Sequence, residues 1–352
     1  MSDTLDRDAS DESPDTDRSR ATAADGGDGE ASVDERPATL AGTLRERSPL
    51  VVAVACWRMV RPDQVALICL LYVTGAVVGA VEADLAPASA LGGSSWAAAQ
   101  IVGGGVALLA ITATVHYANE YADYETDALS RGSTFSGGSG ALHAAGLPRA
   151  VARGATLAAG VAVVPAGLVA VALGTPPRAL VLLGVLFVGG VQYSLPPAEL
   201  AWRGLAIPTN ALLGAWLLPV TGAATVTTPG SLSLVAFVPF TLVTCLSLLA
   251  TTWPDRDGDA AVGKRTLATR LAPVTLWRLA VVVVVAYLGS VVVVHRLVGI
   301  PTPVLVAHLL AAAPAAVAVR TYTRRESPVP AVAAMVSLAV GLAVAWTWVW
   351  VG

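Results

Sequence analysis

The sequence predicts an all-α polytopic membrane protein with nine transmembrane helices. Three observations carry that prediction. The 352 residues are 55% hydrophobic and only 13% charged, against roughly 25% charged in a soluble domain. The mean hydropathy is +0.66. Apolar runs of about 20 residues, the length that spans a bilayer, recur along the chain, and charge is confined to an N-terminal stretch and a few loops between the runs.

Residues 1–47 come first. They are rich in Asp, Glu, Ser, Thr, Ala and Gly, with almost no large apolar side chain. Such a composition cannot bury a core and is expected to be disordered; it also lacks the apolar stretch of a signal peptide. The transmembrane domain is expected over 48–352. Its helices are expected near Gln64–Ala83, Trp96–Ala118, Arg149–Leu173, Arg178–Ser194, Leu205–Val226, Leu232–Thr252, Thr275–His295, Pro303–Arg320 and Val329–Val351. The fourth is the shortest. Gly and Pro occur inside several, as membrane helices tolerate. Trp346, Trp348 and Trp350 suit an aromatic belt at an interface.

Loop charge sets an orientation. Arg45, Arg47, Arg58 and Arg61 precede the first helix. Counting alternately, the same side receives Arg131, Arg149, Arg153, Arg203, Arg256, Lys264, Arg265, Arg270, Arg320, Arg324 and Arg325, and the other side little beyond Arg178 and Arg296. The positive-inside rule then places the N-terminus in the cytoplasm and the C-terminus outside. Cys56, Cys69 and Cys245 show neither metal-ligand spacing nor a disulfide pattern. His116, His143, His295 and His308 are scattered. Lys264 is the only lysine; arginine stands at every other basic position, which with the acidic tail points to a salt-adapted source.

Two acidic segments stand out. The second helix ends in HYANEYADYETD, where Asn119, Asp123 and Asp127 follow one another at i, i+4 and i+8 and so share one helical face. The sixth helix leads into PDRDGDAAVGKRTLATRL, where Asp255 and Asp259 repeat the i, i+4 pair and Lys264, Arg265 and Arg270 follow. Ionisable groups at a membrane boundary are costly and usually functional. Oxygen donors at this spacing suit Mg²⁺ held together with substrate phosphates. The alternating count puts both segments on the cytoplasmic side, although it did not use their acidic residues. The glycine-rich run FSGGSG, Phe135 to Gly140, lies beside the first segment and could bring backbone N–H groups, and Ser139, to a phosphate.

NEYADYETD resembles the first acidic motif of the UbiA superfamily of intramembrane prenyltransferases, and DRDGDAAVGKRT resembles its second. YSLPPAELAWRGL, from Tyr193, looks like the family's loop between helices four and five. Arg61-Pro62 resembles the start of its first helix. The resemblance covers the chain from about Cys56 onward. It implies nine helices around a central cavity and the transfer of a polyprenyl group from its diphosphate to an acceptor, usually an aromatic ring. Carried over by position, Asn119, Asp123 and Asp127 would hold one Mg²⁺ and Asp255 and Asp259 another. Lys264 and Arg265 would neutralise the departing diphosphate, Tyr193 would lie near the substrate, and Arg61, Arg203 and Ser139 would contribute to binding it. Two departures stand out: Glu120 where the family mostly has Asp, and Pro197 where several branches have a lysine, which leaves more of the diphosphate to Arg203 or the second loop.

Partners implied are a polyprenyl diphosphate, a small aromatic or lipid acceptor and membrane lipid, with no nucleic acid. The chain lacks an Asn-x-Pro-x-Arg-Pro run after Asp127, which argues against the lipid-forming and haem-farnesylating branches. FSGGSG and the YSxPP…RGL pattern look closer to the menaquinone (1,4-dihydroxy-2-naphthoate) and chlorophyll-synthase branches. A transporter binding an ion through acidic groups is the alternative of a different class. Its sites belong mid-helix, at broken helices, whereas these acids sit at helix ends.

Overall fold

A computed structural model describes residues 48–92, 96–129, 135, 138–325 and 327–352. The expectation about residues 1–47 lies outside the described residues. Among those described, no strand occurs and nine helices are long and apolar enough to cross a membrane. They are α1 (Pro62–Glu82), α2 (Trp96–Ala122), α3 (Arg149–Ala172), α4 (Pro177–Ser194), α5 (Ala206–Val226), α6 (Ser231–Thr252), α7 (Pro273–Val298), α8 (Thr302–Arg325) and α9 (Val329–Val351).

Sequence position alone does not say which helices are central. Within an apolar 18-residue stretch of each helix, about 67% of the residues of α5, 56% of α6 and 50% of α1 are buried in the bundle, against 11% of α3 and of α7. The peripheral pair turns Leu157, Val161, Val164 and Leu168, and Val282, Val285 and Val292, outward. In water such a surface would be an aggregation liability; against lipid tails it carries no such penalty. The interior is filled by Phe237, Phe240, Leu246, Leu276, Tyr287, Leu338 and Trp346. Neighbouring pairs are α2 with α3, α8 with α9, and α1 with α5.

Two central helices are irregular. In α5 a π-helical stretch, Ala211–Leu217, separates two α-helical pieces; such bulges are often found at functional sites. In α6 the α-helix is interrupted between Ser231–Val235 and Val238–Thr252. Pro239, in the first turn of the second piece, has no N–H to continue the preceding ladder. The start of α6 is held by Glu82 at the end of α1, whose carboxylate accepts from the backbone N–H of Gly230 (3.0 Å), Leu232 (2.8 Å) and Ser233 (3.3 Å) and from the Ser233 hydroxyl. A helix N-terminus has unpaired N–H donors and a partial positive charge, so a carboxylate from another element satisfies both.

Two features differ from the sequence reading. The second helix runs to Ala122 rather than Ala118, because Asn119–Ala122 remain helical and the Asp123 N–H still donates to the Asn119 carbonyl at 2.9 Å. A further helix, Pro49–Met59, precedes α1. Eleven residues cannot cross a bilayer. Ala55 and Met59 pack onto Leu142, Leu147 and Val151, and Leu50, Val54 and Trp57 face outward.

Candidate functional site

The carboxyl ends of α2, α4 and α6 meet at one cleft of about 100 Å³. The first acidic segment enters it as continuous helical backbone. Asp123 is a turn between α2 and the helix Tyr124–Leu129, yet the Asp127 N–H donates to the Asp123 carbonyl at 2.8 Å. The i, i+4, i+8 spacing therefore survives, and Asn119, Asp123 and Asp127 all line the cleft.

The second segment faces them. Asp255 lies just beyond α6, at the start of the helix Arg256–Ala261, and Asp259 lies one turn later on that helix, the Asp259 N–H donating to the Asp255 carbonyl at 2.8 Å. Both line the cleft, whereas Asp257, between them, is 82% exposed beside Arg256. The chain then turns at Gly263, whose φ of +78° suits a residue without Cβ. The turn returns Lys264 to the cleft, its N–H on the Asp259 carbonyl at 2.9 Å.

Lys264 joins the two segments. Its Nζ lies 3.0 Å from Asp123 Oδ1 and 3.7 Å from Asp259 Oδ1, and 5.6 Å from the centre of the Trp202 ring. Burial disfavours the ammonium, but Asp123 and Asp259 outweigh it and hold the Lys264 pKa above its usual range. Two of the carboxylates also shift upward, toward their neutral form. Burial, reinforced by the charges of Glu120 and Asp123, pushes Asp127 up to about 7 against the Gly138 N–H and Arg61. Burial pushes Asp259 up to about 6, opposed by Lys264 and aided by Asp255 and Asp123. Asp123, Asp127, Asp255 and Asp259 line this one cleft together with Lys264, and carboxylate oxygens gathered in this way suit a hard cation.

Glu120 explains itself in the structure. It is 3% exposed and absent from the cleft lining. Oε1 accepts from Arg61 Nη2 at 2.5 Å and Nε at 3.2 Å, and from the Ser139 N–H at 2.8 Å; Oε2 accepts from the Ser139 hydroxyl at 2.8 Å. Arg61 also donates to Asn119 Oδ1 at 3.2 Å, and Asn119 Nδ2 donates to Asp123 Oδ2 at 2.9 Å. One chain of hydrogen bonds thus runs from Arg61 to Asp123 and fixes the Asn119 side chain.

Several side chains expected at the substrate occupy other positions. Arg61 and Ser139 are bonded to Glu120 rather than turned into the cleft. In the FSGGSG run, the Gly138 N–H donates to Asp127 Oδ1 at 2.8 Å and the Ser139 N–H to Glu120 Oε1 at 2.8 Å, so both N–H groups are engaged by carboxylates of the first segment. Gly138 sits so close that a Cβ there would lie 1.6 Å from Asp127 Oδ2. Ser136 and Gly137 lie outside the described residues. Arg203 is 61% exposed and paired within its own loop, 3.6 Å from Glu199 Oε2 and 3.0 Å from the Pro197 carbonyl. Arg265 is exposed and off the cleft, with its N–H on the Trp202 carbonyl. Tyr193 does line the cleft, with Asn210 as a hydrogen-bond partner. Trp202, Thr126, Thr252 and Thr266 also stand at or beside it and were not singled out in the sequence: Thr252 ends an apolar helix, where a threonine looks like packing, and Thr126 and Thr266 lie inside the two acidic segments, where charged neighbours carry the signal.

The donor set is oxygen-only. Among the described residues no three His, Cys, Asp or Glu side chains converge to enclose an ion by themselves. A site for Mg²⁺ does not require that, since this ion keeps several waters and takes one or two carboxylates plus substrate phosphates. The Asp123–Asp127 and Asp255–Asp259 pairs fit such a hard cation.

The model of the UbiA prenyltransferase family matches residues 76–340 of the chain. The chain belongs to the UbiA prenyltransferase family. The match runs through both acidic segments and from within α1 into α9. Among solved structures, a UbiA homolog from Archaeoglobus fulgidus bound to GPP and Mg²⁺ shares the UbiA fold at a TM-score of 0.56 and 17% identity, over 84% of this chain and 99% of that one. The same homolog bound to DMAPP and Mg²⁺ matches at 0.56 and 16%, over 84% and 98%. A digeranylgeranylglyceryl phosphate synthase matches at 0.57 and 12%, over 85% and 99%. A search of the curated proteins finds no match.

Proposed function

We propose that this UbiA-family prenyltransferase moves a polyprenyl group from an allylic diphosphate to a small acceptor in a Mg²⁺-dependent reaction at the cytoplasmic face of a membrane. The observation that carries this reading is the single cleft in which Asn119, Asp123, Asp127, Asp255, Asp259 and Lys264 meet. The Archaeoglobus homolog, described with Mg²⁺ and either GPP or DMAPP, supports the same pairing of ion and substrate class.

Asn119, Asp123 and Asp127 would hold one Mg²⁺ and Asp255 and Asp259 a second. Bound there, the ions would offset the diphosphate's negative charge as the allylic C–O bond breaks. Lys264 then donates to the leaving diphosphate oxygens. Its partners, Asp123 and Asp259, are carboxylates that would hold the ions, which would leave the ammonium available to phosphate oxygens. A donor pre-positioned where charge develops, in a site sheltered from water, contributes most to the rate. Arg61 acts at one remove, holding Glu120 and Asn119 in register. Tyr193, which lines the cleft, would lie near the substrate and help keep water from it.

For the acceptor, an aromatic quinone precursor of the 1,4-dihydroxy-2-naphthoate type is favoured. The YSLPP…RGL and FSGGSG runs support this, and no Asn-x-Pro-x-Arg-Pro run follows Asp127. Membranes carrying the protein, incubated with labelled polyprenyl diphosphate, Mg²⁺ and either dihydroxynaphthoate or a glycerol-lipid acceptor, decide it. Mg²⁺-dependent pyrophosphate release with a prenylated naphthoate is the expected outcome. Release with the glycerol lipid alone would overturn the acceptor, and no release with any allylic diphosphate would overturn the reaction.

A further inference from the structure

Beside the acidic cleft lies a second, outward-facing pocket of about 390 Å³, lined by Ala260, Gly263, Lys264, Arg265, Thr269 and Arg270. Lys264 borders both. The charges of the two are opposite: the cleft carries four carboxylates, whereas the pocket lining holds three cationic side chains and no acid. Lys264 is already committed to Asp123 and Asp259. The Arg265 and Arg270 side chains have no ion-pair or hydrogen-bond partner among the described residues.

The backbone beneath them is fixed. The Arg265 N–H donates to the Trp202 carbonyl at 3.0 Å. Thr269 Oγ1 donates to the carbonyls of Lys264 at 3.2 Å and Thr266 at 3.0 Å, and Thr266 Oγ1 accepts from the Thr269 N–H at 3.3 Å. Gly204, at φ +89°, lies against this turn: a Cβ there would stand 2.8 Å from the Arg265 carbonyl oxygen and 3.3 Å from Arg270 Nη1. Two guanidinium groups on a braced turn, with no acid to satisfy them, form a receptor for an oxyanion; guanidinium forks suit phosphate oxygens in particular.

We propose that this pocket is a second anion site, distinct from the transfer cleft, that binds a phosphate-type group through Arg265 and Arg270. Resting on the transfer reading, its ligand is the diphosphate head in passage: a diphosphate approaching or leaving four carboxylates meets repulsion, and a cationic vestibule sharing Lys264 with the cleft lowers that barrier. An anionic lipid headgroup offers the same phosphate chemistry from the membrane side.

Full-length protein in phosphatidylcholine nanodiscs is titrated with inorganic pyrophosphate in EDTA, with no prenyl substrate and no Mg²⁺, so the result does not depend on transfer. Binding is expected in the parent. It should weaken about tenfold or more in Arg265→Gln/Arg270→Gln, as expected for losing hydrogen bonds to a charged group, and be largely kept in Arg265→Lys/Arg270→Lys. Each single Arg→Gln variant should show a smaller loss, which keeps the test usable if the double variant does not fold. In nanodiscs containing phosphatidylglycerol, anionic lipid retained by the parent and lost by the Arg→Gln variants would assign the pocket to a headgroup. Pyrophosphate binding and lipid retention both indifferent to the arginines would overturn the proposal. Transfer could fail while this binding stands, and the reverse.

Discussion

Lys264→Ala should separate the two tasks this residue performs. Its ammonium sits 3.0 Å from Asp123 Oδ1 and 3.7 Å from Asp259 Oδ1, with 12% of its side chain exposed. At an effective dielectric of about 20, each contact corresponds to about 5 kcal/mol of Coulomb attraction. Desolvation offsets much of it, and breaking a buried pair typically costs about 3–5 kcal/mol because the partner charges remain. Lys264→Ala should therefore lower the melting temperature of the detergent-solubilised protein in EDTA. Added Mg²⁺ should restore most of the loss, since the ion supplies the missing positive charge to the same carboxylates. The rate should not recover. Removing one donor from a developing oxyanion costs about 3–4 kcal/mol, a factor of hundreds, and single-turnover prenyl transfer at saturating Mg²⁺ should fall by roughly that factor. Lys264→Arg should regain only part of the rate, because a planar guanidinium is bulkier than the ammonium and the cleft holds only about 100 Å³. Arg265→Lys, off the cleft, should be milder. A Lys264→Arg enzyme as fast as the parent would refute the point-charge reasoning. A Lys264→Ala protein that melts like the parent in EDTA would refute the carboxylate bridge.

Glu120→Gln leaves Arg61 without its buried counter-charge and should destabilise the protein by about 3 kcal/mol; an unchanged melting temperature would show that the pair does not brace Asn119. Gly138→Ala places a Cβ 1.6 Å from Asp127 Oδ2 and must displace that carboxylate, so the Mg²⁺ concentration for half-maximal turnover should rise about tenfold or more; a normal Mg²⁺ response would remove Asp127 from the metal site. In a background without Cys56, Cys69 and Cys245, Asp257→Cys should be labelled only after cells are permeabilised and Arg296→Cys from outside intact cells, and the reverse pattern would invert the topology. A chain beginning at Leu40 should keep its turnover in membranes at matched expression, because residues 1–39 contain too little apolar side chain to build packed structure.

The spans were legible because a helix in lipid must be apolar along its whole length, and that requirement is local in sequence. The acidic segments were legible for a related reason: carboxylates at the end of an apolar run stand out, and an i, i+4 spacing fixes a shared face wherever the chain goes. Sequence alone thus marked Asn119, Asp123, Asp127, Asp255 and Asp259 as two sets. The loop charges put both on one side of the membrane and the family resemblance assigned them to one diphosphate, but composition and spacing by themselves did not join them. That the two sets meet around Lys264 depends on how α2, α4 and α6 pack, and packing between helices that are all apolar leaves little trace in composition. The arginines show the same division. Arg61, Arg203, Arg265 and Arg270 look alike in sequence, as basic residues near a predicted phosphate site. Packing gives Arg61 to Glu120 and Arg203 to its own loop, and leaves Arg265 and Arg270 lining a separate pocket. A guanidinium on a long flexible stem reaches whichever anion the fold brings near it, so its partner is a property of the tertiary structure.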